Sequence, residues 1–173
     1  MGEKGGQINA VKEQLKNTTS AVDSARINKE LTRLDLDLRE YREKIIAENP
    51  NTILTVLLNG MKEPVLPAAL QKPNTREDSV AAFRYYKEHY WDGVEFWDGR
   101  LAYTTFFEDK VDRYFNQLVS PHPDSVNKEM DYMLSFAKAN AEMERFLLLR
   151  FVNRYYSQRY MWEDAVFVHL YEK

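Results

Sequence analysis

The residue types best suited to chemistry lie in a tandem repeat in the middle of the chain. The tripeptide Trp-Asp-Gly occurs at 91–93 and again at 97–99. Indole faces stack on sugars or cations and carboxylates accept hydrogen bonds, so the repeat is typical of a small-ligand, glycan or interdomain surface. Asp-Gly pairs also build turns, and the indoles would then pin the loop to the core. The candidate site residues are Trp91, Asp92, Glu95, Trp97, Asp98 and Arg100.

The same segment offers metal ligands in His89, Asp92, Glu95 and Asp98. However, the EF-hand pattern is absent, and neither His-x-x-x-His nor Glu-x-x-His spacing occurs. The chain has three histidines, and no motif places a serine or cysteine nucleophile beside any of them. We therefore expect no metal, no cofactor and no catalytic residue in this chain.

Two helical segments carry charges at ligand-like spacing. Glu108, Asp109 and Asp112 could act as paired carboxylates, but Lys110 and Arg113 alternate with them, which indicates a solvated, salt-bridged face. A second set could form a groove for an anionic ligand, or could pair with acids and stack on tyrosines. Its members are Arg145, Arg150, Arg154 and Arg159, with Tyr155, Tyr156 and Tyr160.

Composition excludes several classes of function. The 173 residues contain no cysteine, which excludes disulfides, thiolate nucleophiles and CxxC redox pairs within this sequence. Phosphate-binding glycine loops, Gly-x-Ser-x-Gly elbows and zinc-protease motifs are also absent. The net charge is -3 and basic residues are interleaved with acidic ones, so no nucleic-acid footprint is visible. No apolar run is long enough for a membrane span, and the first residues of the sequence lack the apolar core of a signal peptide.

Apolar residues recur at helical spacing through most of the sequence. The glycine-rich start predicts a flexible lead-in or cloning scar over residues 1–7. A long helix is predicted over 8–48, ended by Asn49-Pro50 and followed by a short helix up to Gly60, so that 8–60 forms a helical hairpin. The seam of Leu31, Leu34 and Leu38 on the 8–48 helix could pair with a partner or with itself.

Residues 61–74 contain three prolines and predict an ordered loop. The rest of the chain, 75–173, predicts an aromatic-rich bundle, because 22 of the 23 aromatic residues follow residue 82. Its helices would begin near Thr75, Thr105, Pro123, Asn140 and Glu163, with the 141–160 helix the most central. The last helix is still apolar at Tyr171, so the natural chain is expected to continue. The prediction is one all-α domain over 8–173 with six or seven helices, and a solenoid-like arrangement is a further interpretation.

Three stretches of the sequence resemble a known family. They are Ile45-Ile-Ala-Glu-Asn-Pro-Asn-Thr-Ile-Leu54, Tyr90-Trp-Asp-Gly-Val-Glu-Phe-Trp-Asp-Gly-Arg-Leu-Ala-Tyr-Thr-Thr-Phe-Phe-Glu-Asp-Lys110 and Tyr160-Met-Trp-Glu-Asp-Ala-Val-Phe-Val-His-Leu-Tyr171. They are similar to the helical domain of unknown function that precedes the thioredoxin-like domain in Bacteroidetes thiol-disulfide oxidoreductases. The resemblance covers most of residues 8–173.

That resemblance implies a non-catalytic accessory domain in an exported, periplasmic or envelope protein. The partners it implies are the following thioredoxin-like domain and protein substrates. With no cysteine in this sequence, no catalytic residue of the family can be assigned to any position here. The alternatives are a free-standing protein-binding module and a ligand site at the Trp-Asp-Gly repeat.

Overall fold

Helices dominate this computed structural model, which describes residues 2–17, 20–157 and 159–172. Within those ranges there are eight α-helices, two short 3-10 helices and no strand, so the all-α prediction is confirmed. The sequence predicts six or seven helices, and the extra one comes from a break near the N-terminus. The helices are α1 (Gly2–Asn17), α2 (Ala21–Glu48), α3 (Ile53–Gly60), α4 (Arg76–Glu88), α5 (Thr105–Gln117), α6 (Pro123–Ala137), α7 (Ala141–Tyr156) and α8 (Glu163–Tyr171), and the 3-10 helices are Ala68–Leu70 and Gly99–Tyr103.

The prediction of a single helix over 8–48 is wrong, because the structure has two helices there. Ser20 is extended, with φ −83° and ψ 127°, and its side chain accepts a hydrogen bond from the Asp23 amide. This N-cap satisfies an amide that has no partner in the first turn, so a new helix begins after it. Helix α1 already begins at Gly2, within the predicted lead-in over 1–7. Met1, Thr18 and Thr19 lie outside the described residues.

Residues 1–55 and residues 56–173 form two separate compact units. In the first unit α1 contacts α2, and Ile8, Val11 and Ile27 are buried. The predicted leucine seam of α2, residues 31, 34 and 38, is half-buried. Asn49 ends α2 as predicted, and its backbone oxygen accepts a hydrogen bond from the Thr55 hydroxyl at 2.6 Å. Self-association and the solenoid-like arrangement stay predictions.

Short polar caps set the helix starts in the second unit. Thr75 and Asp78 form the predicted capping box of α4, and the Asn140 side chain accepts hydrogen bonds from two amides of α7. Pro123 begins α6 as predicted. Helix α5 is capped by Thr104, one residue before the predicted Thr105, because the Thr104 hydroxyl accepts from the Phe107 amide.

Helix α7 contributes a single buried stripe to the core of the second unit. Met143, Leu147 and Phe151 are fully buried at steps of four residues, and Tyr155 continues the stripe. Leu149 on the same helix is 52% exposed, so α7, which the sequence predicts to be the most central helix, is fully buried on one side only. None of the helices in the described ranges has an apolar stretch long enough to cross a membrane.

Candidate functional site

The first Trp-Asp-Gly directs its indole inward. Trp91 is half-buried after the end of α4, and its ring centroid lies 4.9 Å from that of Tyr114 and 5.5 Å from that of Phe96. Asp92 is exposed and pairs with His89, with Nδ1 and Oδ2 2.7 Å apart. Trp91 therefore belongs to the aromatic core, while Asp92 remains at the surface.

Gly93 allows the chain to turn at this point. Its φ is +77°, a left-handed conformation that side chains disfavour. A Cβ atom added there would lie 2.7 Å from the backbone oxygen of Asn59. The glycine is thus required by both the backbone angle and the close approach of α3.

The second Trp-Asp-Gly directs its indole outward. Trp97 is 62% exposed and makes no ring contact with Trp91. Asp98 caps the 3-10 helix that follows and binds the Arg100 guanidinium, whose hydrogen bonds lower the pKa of the Asp98 carboxyl. Glu95 is half-buried between the repeats. The structure therefore separates the two indoles, and a ligand-binding role for the six predicted residues stays a prediction.

Trp91 and Tyr114 form the floor of a cleft of about 390 Å³, which we name the Trp91 cleft. Glu129 of α6 forms one wall of the cleft. One of its carboxylate oxygens lies 2.7 Å from Lys87 Nζ, and the other accepts a hydrogen bond of 2.7 Å from the Tyr114 hydroxyl. Burial, together with this hydrogen bond, raises the pKa of Tyr114. Tyr132 forms another part of the wall, and the rim carries Arg84, Glu88 and Lys128.

A buried lysine lies behind the repeat. Lys110 is only 3% exposed, and its Nζ donates a 2.7 Å hydrogen bond to the Gly60 carbonyl at the end of α3. The Nζ also lies 4.8 Å from the centroid of the Tyr90 ring. The sequence interpretation placed Lys110 on a solvated face, and this is wrong. Lys110 follows Phe107 by three residues and precedes Tyr114 by four, so it lies on the buried apolar stripe of α5. This spacing is the sequence signal that could have predicted its burial.

Polar side chains near Lys110 form a hydrogen-bonded network that the sequence did not predict. Arg113 Nε donates to the Tyr90 hydroxyl at 2.9 Å, and that hydroxyl donates to the Lys110 backbone oxygen at 3.0 Å. Glu63 accepts from both Arg113 and Tyr86. Because Glu63 lies in the loop predicted over 61–74, about 50 residues from Arg113, no local spacing links the two.

We expect stability to depend on Lys110 between pH 8 and 9.5. Burial lowers the pKa of Lys110 to about 8, below that of an exposed lysine, so the unfolded chain binds more protons in this range and stability rises with pH. Relative to Lys110→Met, the wild-type free energy of unfolding should rise by about 1–2 kcal/mol from pH 8 to 9.5. Urea unfolding of both proteins at each pH measures it. Tyr86 and Tyr90 have raised pKa values, so their ionisation lowers the free energy of unfolding as the pH approaches 10. Both proteins contain these tyrosines, so subtracting the free energy of the variant from that of the wild type cancels their contribution. A pH-independent difference would contradict the prediction.

Two arginines of α7, Arg150 and Arg154, pair with acids of α5. Arg150 binds both Glu108 and Asp112, and Arg154 Nη2 donates to Asn116 Oδ1 at 2.6 Å. Arg150 and Arg154 line a polar cleft of about 430 Å³ together with Asp112, Asn116, Arg159 and Glu163. Two of the four predicted arginines are therefore held by α5, and Arg145 is exposed away from this cleft.

The histidines lie apart from each other, each near an aspartate. His169 lies 3.0 Å from Asp131, and His122 precedes α6 without making a side-chain cap. Across the described ranges, no three histidine, aspartate or glutamate side chains come together as a group that could hold a metal ion.

Large apolar side chains are exposed near the end of the chain. Tyr171 is 86% exposed, Met161 is 97% exposed, and Val168 is half exposed. The rings of Tyr156 and Phe167 lie 6.0 Å apart, so the end of α7 adjoins α8. We name these exposed residues the C-terminal apolar segment: Tyr156, Tyr160, Met161, Val168 and Tyr171.

Comparison with known proteins returned one family. A family model described as Domain of unknown function (DUF5106) matches residues 9–173. No curated protein and no solved structure matched the chain.

Proposed function

This chain belongs to the DUF5106 family, and we propose that it is a non-catalytic accessory domain that binds a partner protein domain through the C-terminal apolar segment. The observation that carries the proposal is the exposure of five large apolar side chains between Tyr156 and Tyr171. Grouped apolar exposure of this kind is typical of a protein interaction surface.

Helix α8 is apolar on two opposite sides. Val166 and Leu170 face the core and are buried, whereas Val168 and Tyr171 lie on the other side of the helix and are exposed. A helix with two apolar sides is normally covered on both, because apolar area left in water forgoes about 25 cal/mol per Å². A partner covering the outer side of α8 would recover that free energy.

The partner we propose is a thioredoxin-like domain. The resemblance of the chain to helical domains that precede such domains supports this choice. In this proposal the helical domain positions the redox domain or selects its protein substrates, in the periplasm or the cell envelope.

Reading the natural gene past the codon for residue 173 tests the identity of the partner. We expect the frame to encode a thioredoxin-like domain with a CxxC pair. A frame that stops, or that continues without such a domain, would contradict this choice of partner.

Substitution of the outer side of α8 tests the surface. We expect Val168→Ser with Tyr171→Ser to weaken binding of the separately expressed thioredoxin-like domain at least about tenfold, measured by calorimetry, because aromatic anchors dominate interface energies. Both side chains are exposed, so the free energy of unfolding should change by only about 0.5 kcal/mol. Leu149→Ser, at a 52% exposed position on α7, is the matched control and should leave binding unchanged. Equal weakening by the control would count against this surface.

A further inference from the structure

The Trp91 cleft lies between α4 and α6, with α5 contributing to its floor, and its lining combines aromatic faces with cationic groups. We propose that this cleft binds a small aromatic carboxylate, a planar ring bearing an acidic group. Its volume of about 390 Å³ lies within the range of small-molecule sites in proteins. The proposal concerns a different surface from the C-terminal apolar segment and does not depend on it.

The floor and wall of the cleft suit a planar ring. The Trp91 and Tyr114 rings are tilted by 55° with their centroids 4.9 Å apart, and Tyr132, 53% exposed, forms part of the wall. Aromatic rings attract one another in tilted and offset arrangements, so a ligand ring could contact the floor and Tyr132 together. The Trp91 indole Nε1 is buried beside Tyr114, so the floor offers a ligand the aromatic rings and not this N–H.

The charges at the rim favour an anion. Arg84 and Lys128 are exposed, and no ion pair engages either of them in the described part of the chain. Glu88 is the one acid at the rim, while Glu129 is neutralised by Lys87. The lining therefore has an excess of one positive charge, which attracts a carboxylate and disfavours a cationic ligand despite the aromatic floor.

The walls are held in place before any ligand arrives. Glu129 binds Lys87 of α4 and Tyr114 of α5 at the same time, so it connects the three helices that border the cleft. Its side chain is 17% exposed, which protects both contacts from water. A cleft fixed in this way loses little conformational freedom on binding, and this favours affinity for a small ligand.

Nuclear magnetic resonance of the indole groups tests the proposal with indole-3-acetate as the probe. The chain has three tryptophans, so the ¹⁵N-labelled protein gives three indole N–H signals that single Trp→Phe variants assign. We expect the Trp91 signal to shift and saturate with a Kd of about 1 mM, the range typical of a ligand of this size. The Trp97 and Trp162 signals should not move.

Charge variants provide the matched comparison. Lys128→Glu should weaken indole-3-acetate binding at least about tenfold, because it turns a rim attraction into a repulsion. Lys138→Glu makes the same charge change at an exposed position at the other end of α6 and should leave the Kd within about twofold. Circular dichroism checks that both variants fold.

Three results would overturn the proposal. They are no saturable shift of the Trp91 signal up to high millimolar probe, equal weakening by Lys138→Glu, and binding of the cation phenethylamine as tight as that of indole-3-acetate. The thioredoxin-like partner is not involved in any of these measurements, so failure here leaves the proposed docking at α8 untouched.

Discussion

Replacing Phe151 by alanine is expected to lower the free energy of unfolding by about 3–5 kcal/mol. Phe151 is fully buried at the middle of the α7 stripe, and its ring centroid lies 5.2 Å from that of Phe115 on α5. The substitution removes a ring whose burial stabilises the fold, and it leaves a cavity that the neighbouring side chains fill only in part. The lost burial and the remaining cavity both lower the free energy of unfolding. Urea unfolding followed by circular dichroism measures the loss.

Leu149→Ala is the matched control for Phe151→Ala, because it truncates a side chain two residues away on the same helix. Leu149 is 52% exposed, so its truncation should cost only about 0.5 kcal/mol. Similar losses for the two variants would mean that α7 does not bury the side that the structure assigns to the core.

Replacing Gly93 by alanine is expected to cost roughly 2–4 kcal/mol. The left-handed φ of +77° is unfavourable for alanine, and the new Cβ would lie 2.7 Å from the Asn59 backbone oxygen. A backbone atom cannot rotate out of the way as a side chain can, so either the loop or the end of α3 must shift. The same unfolding experiment measures the cost.

Gly6→Ala tests whether the cost at Gly93 is specific to its position. Gly6 lies within α1, and a Cβ atom added there meets nothing within 4 Å. Alanine forms helix better than glycine, so this variant should be neutral or more stable by up to about 1 kcal/mol. A Gly93→Ala variant as stable as wild type would contradict both the backbone angle and the close contact with Asn59.

Local sequence signals predicted most helix boundaries of the second unit. Thr75 with Asp78, Pro123 and Asn140 each act through atoms a few residues away, so their effect can be deduced from spacing alone. The break at Ser20 is also local, and Ser20 with Asp23 was its signal. The apolar pattern of the sequence continues across this position and therefore hid the break.

Features that depend on distant contacts could not be predicted in the same way. The two Trp-Asp-Gly copies are identical in sequence, yet Trp91 packs against Tyr114 whereas Trp97 is exposed. The difference comes from what lies opposite each copy, which a local pattern does not contain. The contact of Lys110 with Gly60 spans 50 residues and is equally invisible to local spacing.

The rate at which the Lys110 amine reacts with a labelling reagent should report how often α3 separates from α5. The Lys110 Nζ is bonded to the Gly60 carbonyl and covered by surrounding side chains, so acylating reagents in water can reach it only while that contact is open. Exposed lysines such as Lys128 and Lys138 react without any such opening. The ratio of the two labelling rates therefore expresses the local opening equilibrium at the end of α3 as a single number.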